Sequence, residues 1–164
     1  MHPELFSFFD ISQNNWQSGK LHYDRIMWVR GVLEEDGKKM PLTNVKVYGS
    51  PNPRENAVTE LNLDRWWQNI FAGCASTRFH RPPIGIGLNE TAQLMIKAAR
   101  TFTNAFDIFS CEPHPELLSE CDEGEAYCIA NPGKIYAVYF PRGGKARLTI
   151  ENPQRSLKLR WFDQ

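Results

Sequence analysis

The sequence predicts an α/β plus all-β chain, with a parallel βα segment over residues 1–106 and an antiparallel β-segment over residues 126–164. Three observations carry this. Short apolar stretches alternate with helical periodicities three times before residue 107, the spacing of parallel βα units. The periodicity then stops across an acidic stretch with two prolines, 107–125, which reads as a linker. Beyond it, aromatic and β-branched runs are separated by turn-forming Pro and Gly, the pattern of an antiparallel sheet.

The elements follow in order. "ELFSFFDIS" (4–12) suits a buried strand, and "QNNWQSG" (13–19) a polar loop. In 20–37, Leu21, Ile26, Val29, Val32 and Leu33 recur at roughly helical spacing, and Gly37 supplies a C-terminal stop. "PLTNVKVYG" (41–49) reads as a second strand. Alternation sets Asn44, Lys46 and Tyr48 opposite Val45 and Val47, so the valines should pack on helices and the polar set should face away from them. The next helix carries Leu63, Trp66, Trp67, Ile70, Phe71 and Cys74 on one stripe, with Asn62 as a cap. "STRFHRPP" (76–83) is a short strand running into prolines. The third helix, within 89–106, aligns Ala92, Met95, Ile96, Ala99, Phe102 and Phe106. Residues 126–162 read as four strands. The first turn is Asn131-Pro132-Gly133-Lys134, with the type II arrangement of Pro then Gly. Arg142-Gly143-Gly144 and Asn152-Pro153 mark two more turns.

Composition narrows the function classes. Apolar residues make up 41% and charged residues 23% of 164, the balance of a globular chain. Lys plus Arg and Asp plus Glu number 19 each, with no long basic run, which argues against a nucleic-acid partner. No apolar run approaches the ~18–20 residues of a membrane helix, and "MHPELFSFFD" lacks the marks of a signal peptide. Cys74 falls on a helix stripe as a buried thiol. Cys111, Cys121 and Cys128 leave a disulfide open, while the absence of CxxC or paired histidines speaks against a metal site. No cofactor is expected.

The segments "SQNNWQSG", "PLTNVKVYG", "WWQNIFAGCASTRFHRP" and "AYCIANPGKIYAVYFPRGG", with the terminal "LKLRWFD", resemble one known arrangement. It is that of bacterial glycoside-hydrolase-like (apiosidase-like) TIM-barrel proteins carrying an appended collagen-binding-type β-domain. The resemblance implies that residues 1–106 are the last three βα units of a (β/α)8 barrel. Residues 126–164 would be the first strands of a small antiparallel β-sandwich domain. A closed barrel takes ~250 residues, so the chain would be a fragment of a longer protein, with relatives secreted or periplasmic.

On that arrangement the reacting groups stand at the C-terminal ends of the strands. Asp10 is the candidate carboxylate, His80 a proton-transfer group between Arg78 and Arg81, and Lys46 the charged group where related barrels hold a catalytic glutamate. Gln13, Asn14 and Asn15 would bond sugar hydroxyls, Trp16 would stack on the ring, and Tyr48, Arg78 and Arg81 would complete the substrate site. A convincing pair of carboxylates for glycoside cleavage is lacking, and His22 and His114 read as solvated. The expected function is therefore part of a carbohydrate-active hydrolase acting on a poly- or oligosaccharide, inactive by itself. The alternatives are a non-catalytic glycan- or matrix-binding protein, or a truncated product. Self-association through exposed barrel edges is a further expectation.

Overall fold

A computed structural model describes residues 6–11, 20–44, 60–77, 90–151 and 156–162. The chain divides into two compact units, Met1–Ile84 and Gly85–Gln164.

Unit 1 runs β1 (Phe9–Asp10), α1 (Lys20–Glu35), β2 (Leu42–Asn44), α2 (Glu60–Phe71) and β3 (Ser76–Thr77). The strands form one parallel sheet in the order β1-β2-β3, pairing Phe9 with Leu42, Asp10 with Thr43, Thr43 with Ser76 and Asn44 with Thr77. Backbone bonds from Phe9 N to Pro41 O and from Ile11 N to Thr43 O, both 2.9 Å, extend the first pairing.

Helices α1 and α2 stop by the same device. Gly37 and Gly73 take φ of 72° and 70°. Gly37 N bonds Glu34 O and Lys38 N bonds Leu33 O, while Gly73 N bonds Ile70 O and Cys74 N bonds Asn69 O. This is the Schellman arrangement, which satisfies the last helical carbonyls and turns the chain toward the next strand. The core of the unit is Tyr23, Ile26, Leu33, Leu42, Trp66, Trp67, Phe71 and Ala72. Trp66 and Trp67 meet edge to face, with centroids 5.0 Å apart.

Unit 2 opens with α3 (Glu90–Thr103), whose Ala92, Met95 and Phe102 are buried. Phe102 meets Phe106 and Phe162 edge-on at 4.9 and 6.1 Å. Residues 107–125, expected as a linker, carry two 3-10 turns and the strands β4 (Glu112–Pro113) and β5 (Leu118–Ser119). Asp107 starts this region by accepting the Phe109 amide. Then come β6 (Tyr127–Asn131), β7 (Ile135–Tyr139) and β8 (Arg147–Leu148). One antiparallel sheet has the order β4-β6-β7, and a second joins β5 to β8. Leu117, Cys128 and Ala130 form a small core packed by Leu118, Tyr136, Val138 and Leu148. On the other face of the hairpin Tyr127 stacks on Tyr139. All four cysteines are free thiols.

The β6–β7 turn has the geometry its residues call for. Gly133 sits at φ 79° and Lys134 N bonds Asn131 O at 2.9 Å, as a type II turn requires. The Tyr136 hydroxyl accepts from Gly133 N at 2.6 Å and from Glu151 N at 3.0 Å. No atom lies within 4 Å of a Cβ added at Gly133, so a methyl there meets only the left-handed penalty. Gly133→Ala should lower stability by about 1 kcal/mol, read as a shifted urea midpoint in far-UV circular dichroism.

Two expectations are corrected here. The parallel sheet is open, with strands of two or three residues, and does not make part of a TIM barrel. The β-segment is a three-stranded and a two-stranded sheet, both open, not the start of a β-sandwich domain, and residues 156–162 carry no strand. The physical reason is that strand–helix alternation is a local property common to every βαβ fold. Closure depends on strand number, tilt and shear, which no single unit encodes.

Candidate functional site

The face of the sheet that holds Leu42 and Asn44 is covered by both helices of unit 1. Leu42 and Asn44 are buried while Thr43, on the opposite face, is half-buried. Asn44 was expected to look into a barrel. It turns instead toward the helices, because both crossovers lie on that side.

There Asn44 joins a buried polar network. Asn69, in the last turn of α2, lies 2.8 Å through its Oδ1 from His22 Nε2 of α1 and 3.1 Å from Asn44 Nδ2. Its own Nδ2 donates to Thr77 Oγ1 at 2.9 Å. His22, Asn44 and Asn69 are all fully buried. An amide oxygen only accepts, so the proton facing Asn69 stands on His22 Nε2. The 3.4 Å approach of Asn44 Nδ2 to that nitrogen is then a contact between two donors that share one acceptor.

The imidazole is neutral. Burial lowers the His22 pKa from 6.5 to about 4, opposed by the Asn69 hydrogen bond and reinforced by the nearby Arg65 and Arg25 charges. Arg65 is itself buried, which lowers its pKa, while neighbouring Asp64 acts the other way. The expectation that His22 is solvated is therefore overturned.

One atom of the network is left over. Among the described residues the buried Asn44 Oδ1 has no hydrogen-bond partner. Asn44 and Thr77 are the last described residues of β2 and β3 and are partners in register. Thr77 Oγ1, having accepted from Asn69, keeps its own proton to donate. Asn44 Oδ1 and Thr77 Oγ1 are thus an acceptor and a donor on neighbouring strands.

Of the residues expected to form a site, Asp10 is described. It is exposed and accepts from Thr43 Oγ1 at 3.1 Å, on the face opposite Asn44 by strand alternation. Gln13, Asn14, Asn15, Trp16, Lys46, Tyr48, Arg78, His80 and Arg81 lie outside the described residues. His22 and Asn69 were missed. A polar residue between Trp66-Trp67 and Ile70-Phe71 was the available signal for Asn69.

Elsewhere the chemistry is quieter. Burial raises the Cys74 and Cys128 thiols to about 12, so neither is a nucleophile at neutral pH. Among the described residues no group of three His, Cys, Asp or Glu could hold a metal ion. Among them, too, no helix is long and apolar enough to cross a membrane.

No family model, curated protein or solved structure matches the chain. With an open sheet and no relative to carry the activity, the expected apiosidase-like identity, glycoside-hydrolase or glycan-binding function and collagen-binding label are withdrawn.

Proposed function

We propose that unit 1 binds a small neutral molecule with a carboxamide-type edge, at the C-terminal ends of β2 and β3. The observation that carries this is the buried Asn44 Oδ1 without a partner. A buried acceptor left unmade costs about 1–3 kcal/mol, and a ligand N–H recovers that cost on binding. Thr77, register partner of Asn44, supplies the complementary donor to the ligand carbonyl.

Charge disfavours a cationic ligand. Arg25 and Arg65 act on His22 as positive neighbours, so a cation brought to the same network is repelled. The low His22 pKa also favours binding over proton transfer, since a general base works best with a pKa near the working pH.

Propionamide and methyl propionate separate the reading cleanly. They are similar in size, but only the amide has N–H donors. Titrated into the full chain and followed by amide NMR shifts, propionamide should perturb Asn69, Thr77 and Asn44, and the ester should not. Asn44→Ala, checked for folding by circular dichroism, should weaken propionamide binding about tenfold, the factor that one hydrogen bond of ~1.4 kcal/mol supplies. Equal responses to amide and ester would remove the proposal.

A further inference from the structure

Unit 2 carries a surface of a different kind. In residues 156–162 Leu157, Leu159 and Trp161 alternate with Lys158 and Arg160. Leu159 is 76% and Trp161 81% exposed. Large apolar side chains placed together in water mark an interaction site more often than chance. The two cations belong to no ion pair among the described residues.

The same unit holds the complement. Residues 112–125 contain Glu112, Glu116, Glu120, Asp122, Glu123 and Glu125, all exposed, and no Lys or Arg. Phe109 precedes them, 97% exposed. A basic stretch with apolar residues and an acidic stretch led by an aromatic thus lie on one unit, and no ion pair of the described residues joins them.

We propose that the chain pairs with a second copy of itself, residues 157–161 of each copy seating against the acidic stretch 112–125 of the other. A two-fold arrangement makes both contacts at once, since each copy offers the patch the other needs. Charge complementarity sets the register and the rate of encounter, and Trp161 with Leu159 supplies apolar area.

Light scattering coupled to size exclusion, on the full chain at several concentrations and salt levels, tests this. The wild type should dimerise, and the dimer should weaken as salt rises. Lys158→Glu with Arg160→Glu should weaken it at least tenfold, as should Asp122→Lys with Glu123→Lys. These positions are exposed, and circular dichroism confirms that each variant folds. Mixed in equal amounts, the two variants should form a heterodimer, because one contact keeps its original charges and the other is restored with signs exchanged. A wild type that stays monomeric, a dimer indifferent to the reversals, or a mixture that stays apart would each overturn the proposal.

Discussion

Phe71→Ala is expected to destabilise unit 1 by about 3–5 kcal/mol. Phe71 ends α2, is 2% exposed, and is among the largest fully buried side chains of the chain. Removing its ring takes away transfer energy and leaves a cavity that two short helices and a three-stranded sheet cannot close. Phe71→Leu keeps most of the volume and should cost less than half as much. Tryptophan fluorescence during urea unfolding reports the effect, since four of the five tryptophans, Trp16, Trp28, Trp66 and Trp67, belong to unit 1. A loss under ~1 kcal/mol for the alanine variant would mean that Phe71 is not buried as described.

The second large effect is a dependence on acid. His22 binds its proton at about 4 in the folded chain against 6.5 for the unperturbed group. Between these values the unfolded chain holds the proton and the folded one does not, so unfolding takes up a proton. Stability is therefore complete above pH 6.5, falls as the pH drops toward 4, and loses no more to this group below that. The difference corresponds to about 3 kcal/mol. Urea midpoints across that window should fall for the wild type and flatten for His22→Gln relative to it. A wild type whose stability is level between pH 6.5 and 4.5 would show that His22 is solvated.

What the sequence revealed depended on range. Apolar periodicity located the three described helices, and Gly37 marked the end of the first as a local signal should. The Pro-Gly turn at 132–133 was legible for the same reason. His22 was not, because Leu21, Val29 and Val32 suggested a different buried face from the one that His22, Tyr23, Ile26 and Leu33 present. Only the packing of α1 on α2 decides which of two overlapping stripes turns inward. Asn44 shows the same limit more sharply. Alternation set it facing away from the helices, but which side the helices cover is a property of the sheet as a whole. The strands of unit 2 within 107–125 are two residues each and pair across turns with distant partners, too short to show a period of two.

The proposed function rests on the unmet acceptor of Asn44, and its side-chain carbonyl carbon reports that atom directly. The carbon-13 shift of Asn44 Cγ should be measured in the free chain and with saturating propionamide. A value typical of an unbonded amide carbonyl is expected in the free chain, with a downfield move on adding the amide. A free-chain value already typical of a hydrogen-bonded carbonyl, unmoved by propionamide, would contradict it.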